Sequence, residues 1–218
     1  MLFHRLSRVP ESHKPFLKYA ATLGSPFSKA QAQIAVGKSL DASLEALQQA
    51  DIVHYESEAG RYHFAHDLTQ EAAYNIIPEA ERAHWHLKVA ETLESTSETM
   101  DLETSLRIAD HYLKAGEVSK TVEYLLKASA EARKYALYPE AQSYLQRALD
   151  LLVGWAMPTL MRLDVLEQLD TVAKDIGDHH RRIDYIREAL SLSQQIETSP
   201  QRRASLYHRK YGYRYLRR

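Results

Sequence analysis

The segment from Tyr62 to Tyr74 constrains the fold more than any other part of the chain, because its pattern changes from that of a strand to that of a helix. Tyr62 and Phe64 alternate with more polar residues, as in a half-buried strand. From Asp67 onward the apolar residues follow helical spacing, at Leu68, Ala72, Ala73 and Ile76. The carboxylate of Asp67 is suited to accept the free N–H groups of the first helical turn. The sequence therefore predicts a strand that runs directly into a helix capped by Asp67.

Residues 1–66 are predicted to form three helices followed by a β-hairpin. The first helix is expected to end at Gly24 and the second to begin at the N-cap Ser28. We expect the inner face of each helix to carry apolar residues. They are Phe16, Leu17, Ala20 and Leu23 in the first helix, Ala32, Ile34 and Ala35 in the second, which ends at Gly37, and Leu40, Leu44 and Leu47 in the third. Residues 52–56 and 61–64 alternate around a turn at Gly60, which is typical of a hairpin.

The chain beyond residue 67 is predicted to be entirely helical. Glycine and proline separate helices expected at 67–76, 79–97, 103–115, 119–136, 139–152, 159–176, 180–196 and 202–217. With seven Gly, seven Pro and no Cys in 218 residues, the composition favours helix and excludes disulfides and thiolate metal sites. No apolar run is long enough for a membrane span, so we expect a cytoplasmic protein without a membrane partner.

Internal similarity from residue 99 onward indicates divergent helical repeats. The segment from Ile108 to Tyr112, followed by Gly116, has the pattern of the first helix in a two-helix repeat unit. The second helix of such a repeat has small and large residues alternating along its inner face. This pattern occurs three times: at Thr121, Leu125 and Ala128, then at Ala141, Leu145 and Ala148 after Tyr138, and then at Ile183, Ile186 and Ala189. Residues 204–215 have the pattern of a further first helix, whose inner face we expect at Ala204, Tyr207, Tyr211 and Tyr215. We expect this last repeat to be truncated.

The chain resembles the winged-helix and tetratricopeptide-like region of bacterial STAND-class regulators, in which an AAA-like ATPase precedes these parts. The resemblance rests on Phe64, His66, Asp67 and the run Gln70 to Tyr74, and it continues at Arg82, His86, Val89, Ala90 and Leu93. It implies a mainly α fold, with a winged-helix domain at 1–66, linker helices at 67–98 and an α-solenoid of tetratricopeptide-like (TPR-like) hairpins at 99–218. It also implies a non-catalytic regulatory segment that couples nucleotide state to a repeat array. The alternative function is a free-standing TPR-like adaptor.

The resemblance assigns a specific role to His66 and Asp67. In eukaryotic relatives, a similar Met-His-Asp element stands at this junction, and its histidine contacts the β-phosphate of bound ADP. His66 and Asp67 are therefore a possible nucleotide-sensor pair in a full-length parent that binds ATP or ADP. The other interpretation is that His66 packs under the wing while Asp67 only caps the helix. No GxxxxGK[ST] loop occurs in the chain, so we expect no cofactor and no ATPase activity from this chain alone.

Other chemistry has little support in the sequence. The pair His84 and His86 flanks Trp85, but a step of two residues points side chains to different sides of a helix. No HExxH or GxSxG motif occurs, so we expect surface histidines, no metal site and no catalytic residue. The resemblance implies as partners an ATPase domain, in cis or in trans, and a protein or small-molecule inducer on the repeats. Repeat geometry places His111, Tyr112 and Lys114 in the expected partner groove.

The carboxy-terminal tail concentrates basic charge. Residues 202–218 contain seven Arg or Lys and no acidic residue, whereas the rest of the chain has 21 basic and 29 acidic residues. Basic residues interleaved with tyrosines are one signature of nucleic-acid binding. The helical spacing of the tyrosines favours a repeat helix instead, and we expect no nucleic-acid partner.

Overall fold

The computed structural model describes residues 2–36, 40–154, 160–196 and 198–212. The chain divides into two compact units. The amino-terminal unit comprises residues 1–99 and 110–117, and the carboxy-terminal unit comprises residues 100–109 and 118–218. None of the helices in the described ranges combines the length and the apolar character that a membrane crossing requires.

The amino-terminal unit is built from helices around a small antiparallel sheet. Its elements are α1 (Leu2–Ser7), α2 (Lys14–Leu23), β1 (Phe27–Ser28), α3 (Lys29–Val36), α4 (Leu40–Gln49), β2 (Val53–Glu56), β3 (Arg61–Phe64), α5 (Asp67–Asn75) and α6 (Glu79–Thr96). The end of α7 (Leu102–Ala115) belongs to it as well. The predicted hairpin is confirmed, since β2 and β3 pair with Tyr55 opposite Tyr62 around a turn in which Gly60 has a φ of 64°.

The sheet has a third strand that the sequence did not predict. The two-residue strand β1 pairs with β3, which places Phe27 opposite Tyr62 and gives the strand order β1-β3-β2. The ring of Phe27 stacks on Tyr62 at 5.6 Å and meets the edges of Phe16 and Phe64. Two residues are too few to show a period of two, yet this strand supplies the centre of the aromatic core.

Within the described residues, four α-helices precede the hairpin, one more than predicted, because α1 was not expected. The other three agree with most of the predicted details. Gly24, with a φ of 90°, follows α2, and the inner residues of α2 and α4 are buried. Ser28 and Gln31 form a capping box: the Ser28 hydroxyl accepts from the Gln31 N–H, and the Gln31 side chain accepts from the Ser28 N–H. The prediction for Ile34 is wrong, because 47% of this residue is exposed. Gly37 lies outside the described residues.

The buried face of α5 differs by one position from the predicted face. Leu68 and Ile76 are 63% and 40% exposed. The buried residues are Ala73, which was predicted, and Thr69, which was not, with Ile77 just beyond the helix end. A four-residue spacing exists on both faces of this short helix, so the apolar pattern alone selected the wrong one. Leu68 is therefore an exposed leucine next to the junction at His66.

The carboxy-terminal unit consists of helices only, within the described residues. They are α8 (Val118–Lys134), α9 (Tyr138–Val153), α10 (Leu160–Ile176), α11 (His179–Gln195) and α12 (Pro200–Gly212). These bounds confirm the predicted helices to within about two residues, apart from the end of the last one, which lies outside the described residues. The small-large-small faces of α8 and α9 are fully buried, as expected from repeat packing.

The helices of the carboxy-terminal unit pack against their neighbours in sequence. α8 packs against α9, α10 packs against both α9 and α11, and α11 packs against α12. The turn from α8 to α9 is closed by a hydrogen bond from the Leu137 N–H to the Ala132 carbonyl, and the turn after α10 by a bond from Asp178 to Ala173. Both are Schellman-type helix ends. Ala136 takes the left-handed position in the first turn, with a φ of 57°. The predicted break between the helices at 119–136 and 139–152 is confirmed at this turn, although no glycine marks it.

The predicted face of α11 contains one error. Ile186 and Ala189 are buried, but Ile183 is 37% exposed and Arg182 is only 5% exposed. The guanidinium of Arg182 donates from Nε to the buried Asp170 carboxylate at 2.8 Å. A charged residue can occupy the inner face because this partner compensates part of its lost hydration.

Candidate functional site

The junction between β3 and α5 holds the predicted sensor pair. His66 has an extended backbone, with φ −152° and ψ 144°, and is the N-cap of α5. Its carbonyl accepts hydrogen bonds from the N–H groups of Thr69 and Gln70. Its side chain is exposed, which contradicts the interpretation that it packs under the wing.

Asp67 does not cap the helix as predicted. It is the first residue of α5 rather than its N-cap, and the N-cap position makes no side-chain hydrogen bond. The exposed carboxylate still lies in the first turn, where the helix dipole favours negative charge. The contribution of Asp67 to helix stability is therefore electrostatic.

A cleft of 510 Å³ opens beside this junction within the amino-terminal unit. It is lined by residues of α2, α5, α6 and the end of α7: Ala21, Thr22, Asp67, Gln70, Glu71, Tyr74, His86, Asp110, His111 and Lys114. The Gln70 side-chain amide donates to the Ala21 carbonyl at 3.3 Å and so ties α5 to α2. Concave surfaces with convergent polar groups are where ligands bind most often. Asp67 contributes to this lining, whereas His66 does not.

Three side chains at the wall of the cleft form a continuous hydrogen-bond chain. The Tyr74 hydroxyl lies 2.8 Å from Nε2 of His86, and Nδ1 of His86 lies 2.9 Å from Nδ1 of His111. His86 is 3% exposed and His111 is 7% exposed. The chain thus joins α5, α6 and the end of α7 through two buried imidazoles and a half-buried phenol.

The charges around His86 favour its neutral form. The pKa of His86 is lowered to about 4 by burial, which has the largest effect, and by the positive charges of Lys114 and Arg82, while Asp110 opposes them. Lys114 pairs with Asp110 at 2.8 Å, and the Arg82 guanidinium lies over the Tyr74 ring at 5.0 Å. The His86 imidazole is therefore uncharged at neutral pH and works as a hydrogen-bond donor and acceptor.

The residues predicted for a partner groove have different positions. His111 and Lys114 line the cleft, and Lys114 is exposed. Tyr112 does not line it, because the ring is only 2% exposed and its hydroxyl donates to the Glu94 carboxylate of α6. The prediction that Tyr112 offers its side chain to a partner is wrong, since the ring is part of the core. A partner-binding role of His111 and Lys114 stays a prediction.

Tyr74 and His86 are the site residues that the sequence analysis did not assign. His86 was expected on the surface, but it falls in phase with the buried residues Val89, Ala90 and Leu93 of α6, and this spacing was the available signal. In the part of the chain that the structure describes, no three His, Cys, Asp or Glu side chains are placed to hold a metal ion.

The basic residues of α12 that lie near α10 make ion pairs with it. Arg202 contacts both Asp164 and Glu167, and Arg209 lies 3.4 Å from Asp170. The predicted inner face of α12 is wrong, because Ala204 and Tyr207 are exposed while Leu206 is buried. Tyr211 has no described side chain and Tyr215 lies outside the described residues. The pairing of these arginines reduces the charge available to phosphate groups.

No protein-family model matches the chain, and no curated protein matches it either. Among solved structures, the chain is similar to a signal-transduction ATPase with numerous domains (STAND) with a tetratricopeptide repeat sensor, from Pyrococcus horikoshii. The identity is 12% and the TM-score 0.33, over 98% of this chain and 49% of the other. The chain thus spans about half the length of that protein. A likeness of this size establishes neither a shared fold nor a shared function.

Proposed function

We propose that the chain is a non-catalytic regulatory and protein-interaction segment of a STAND-type ATPase regulator. In this proposal, residues 1–66 form a winged helix that couples nucleotide state to the helical array. The array binds a protein or a small-molecule inducer. The observation that carries the proposal is the junction at His66, where a strand runs into a helix within two residues and leaves the imidazole exposed at the helix start.

This position suits contact with a phosphate group. The amino-terminal end of a helix has a partial positive charge and N–H groups that attract anions. An exposed imidazole there can donate a hydrogen bond to a phosphate oxygen whether it is neutral or charged. The phosphate would belong to ADP or ATP in an ATPase domain, in cis or in trans.

The decisive experiment begins with the native reading frame around this sequence. An ATPase segment with a phosphate-binding loop, encoded in frame or in a neighbouring gene, is expected. In the complete protein, His66→Ala should accelerate release of a fluorescent ADP analogue by about tenfold or more, which corresponds to about 1.4 kcal/mol. His84→Ala is the matched control, because His84 is also exposed in the same unit, and it should leave the release rate unchanged. An unchanged rate in His66→Ala, or the lack of any ATPase segment, would overturn the proposal.

The same proposal makes the chain itself inactive toward nucleotides. Titration calorimetry of the isolated chain with magnesium ATP or magnesium ADP should detect no binding at micromolar concentrations, because no phosphate-binding loop occurs in its sequence. A micromolar dissociation constant would contradict a purely regulatory role.

A free-standing adaptor is the second candidate, and a polar groove in the carboxy-terminal unit favours it. The groove has a volume of 730 Å³ and lies between α9 and α11. Its lining offers both charges and hydrogen-bonding groups: Pro139, Gln142, Ser143, Gln146, Arg147, Asp150, Arg181, Asp184 and Tyr185. A protein partner that binds with the same affinity to wild type and to His66→Ala, but loses binding in Arg147→Ala, would favour the adaptor.

A further inference from the structure

The buried histidine pair of the amino-terminal unit has a geometry that depends on how many protons it carries. Nδ1 of His86 faces Nδ1 of His111 at 2.9 Å, a distance at which one nitrogen must donate and the other must accept. The rings are tilted by 43°, with centroids 5.1 Å apart. On its other side, Nε2 of His86 meets the Tyr74 hydroxyl.

Two neutral rings satisfy this arrangement in either direction. If His86 donates from Nδ1, then its Nε2 accepts from the Tyr74 hydroxyl. If His111 donates instead, then Nε2 of His86 carries its proton and donates to the Tyr74 oxygen. The second arrangement also accommodates one additional proton, because a charged His111 still donates from Nδ1 while His86 remains the acceptor.

A second additional proton cannot be accommodated. With both rings charged, each Nδ1 carries a hydrogen, so two donors face each other at 2.9 Å without an acceptor. The two positive charges also repel in a site where little water screens them. The contact must then break, and at least one ring has to move toward solvent.

The surrounding groups do not compensate a doubly charged pair. The titratable and charged groups that face it are Asp67, Glu71 and Tyr74 of α5, Arg82 of α6, and Asp110 and Lys114 of α7. Asp110 is paired with Lys114, and both Arg82 and Lys114 add positive charge. From α2, only the uncharged Ala21 and Thr22 line the cleft, while its Lys18 pairs with Glu81. Burial, together with the positive charges of Lys114 and Arg82, holds the pKa of His86 at about 4.

We propose that the His86–His111 contact is a pH-sensitive switch within the amino-terminal unit. It holds residues 110–117 against α6 while the two rings carry at most one positive charge, and it separates when both are protonated. The acidified form exposes the end of α7, opens the wall of the cleft and frees the Tyr74 hydroxyl. A second contact between the same helices, from the Tyr112 hydroxyl to Glu94, remains after the histidines have separated.

Hydrogen exchange of the whole chain tests this switch. Backbone amides of residues 110–117 should lose protection by about tenfold or more between pH 7.5 and pH 4.5, after correction for intrinsic rates. In His111→Asn, the side-chain amide takes the place of Nδ1, does not titrate and can accept a hydrogen bond from a charged His86, so the loss should be at least about threefold smaller than in the wild type. The part that remains comes from the burial of His86, which the variant keeps. His84→Asn removes an exposed histidine from α6, and Glu94→Gln keeps the acceptor for Tyr112 without its titration. Both controls should follow the wild type.

Two outcomes would overturn the switch. One is an equal loss of protection in wild type and in His111→Asn. The other concerns the wild type alone and does not depend on any variant folding. Nitrogen-15 NMR of the imidazoles should find, at pH 7.5, a proton on one of the two Nδ1 atoms and not on the other. Two unprotonated Nδ1 atoms would show that the contact does not exist in solution.

Discussion

The two units of the molecule bury polar groups in different ways. In the amino-terminal unit, the polar contact joins two buried imidazoles and a half-buried phenol, and burial keeps the imidazole of His86 neutral near pH 7 by lowering its pKa. In the carboxy-terminal unit, the buried contact is an ion pair between Arg182 and Asp170, with side chains 6% and 4% exposed. A second arginine, Arg209, reaches the other carboxylate oxygen.

The difference determines how each contact responds to its surroundings. A guanidinium keeps its charge at every pH that a folded protein tolerates, so the arginines of the carboxy-terminal contact cannot be switched by protons. An unperturbed imidazole changes its charge between about pH 5 and 8, and burial moves this change to about pH 4 for His86. The cationic side of the second contact is therefore permanent, whereas the rings of the first contact can gain charge. We call the two contacts permanent and adjustable in this sense, and four measurements follow from the contrast.

The largest effect is expected from breaking the permanent contact on one side. Asp170→Ala leaves Arg182 buried without its main partner and should reduce the free energy of unfolding by about 3 to 5 kcal/mol. Urea unfolding followed by circular dichroism measures it. Asp175→Ala is the control, because Asp175 lies on the same helix and pairs with Arg133 at the surface. It should cost less than about 1 kcal/mol. Equal losses in both variants would show that the Arg182 pair is not buried.

The next effect is the pH dependence of the adjustable contact. The pKa of His86 is about 4 in the folded chain, below its ordinary value of about 6.5 in an unfolded chain. The unfolded state therefore takes up the proton first as the pH falls. The stability from this difference is complete above pH 6.5, declines down to pH 4 and totals about 3 kcal/mol.

Unfolding in urea at several pH values, followed by tryptophan fluorescence, checks this dependence. Trp85 reports on the amino-terminal unit, and replacing Trp155, the other tryptophan, by Phe removes the second signal. In His86→Gln, whose amide can still meet the Tyr74 hydroxyl, the slope between pH 4 and 6.5 should be smaller. An unchanged slope would mean that His86 is not the titrating group.

A smaller effect is expected from shortening the hydrogen-bond chain at its phenol end. Tyr74→Phe keeps the ring beneath the Arg82 guanidinium but removes the hydroxyl partner of His86. A buried nitrogen without a partner costs about 1 to 3 kcal/mol. The urea midpoint of the Trp85 signal measures this loss. Tyr55→Phe is the control, because Tyr55 is 49% exposed, and it should change stability by less than about 0.5 kcal/mol.

The smallest effect is expected at the exposed histidine of the same unit. His66→Ala removes a side chain that is exposed and caps α5 only through its backbone carbonyl. The free energy of unfolding, obtained from thermal unfolding, should agree with that of the wild type within about 0.5 kcal/mol. A larger loss would show a structural role for His66 and weaken its assignment as a nucleotide sensor.

The sequence predicted the positions of helices and strands better than it predicted which residues of each helix are buried. Helix bounds were within about two residues because glycine, proline and apolar spacing mark the ends of most helices locally. The two-residue strand β1 was missed because it has no local signal. Leu68 and Ile183 were assigned to the core because they are apolar, whereas Thr69 and Arg182 occupy those positions.

The candidate site was less predictable than the fold. His66 and Asp67 were found because they stand next to each other at a visible change of pattern. His86 and His111 are 25 residues apart and act as a pair only through tertiary packing. No sequence motif links the two residues, and the spacing of apolar residues does not predict a hydrogen bond between two rings. The position of Tyr74 beside them is equally a product of the folded chain.

The ion pairs of α10 also impose an order on synthesis of the chain. Asp170 meets Arg182 only after twelve more residues have been added, and Arg209 only after thirty-nine. Asp164 likewise waits for Arg202, thirty-eight residues later. A nascent α10 is therefore left with uncompensated carboxylates while α8 and α9 already have each other as packing partners. Ribosomes add about 5 to 20 residues each second, so α10 completes its ion pairs on the order of seconds after it emerges.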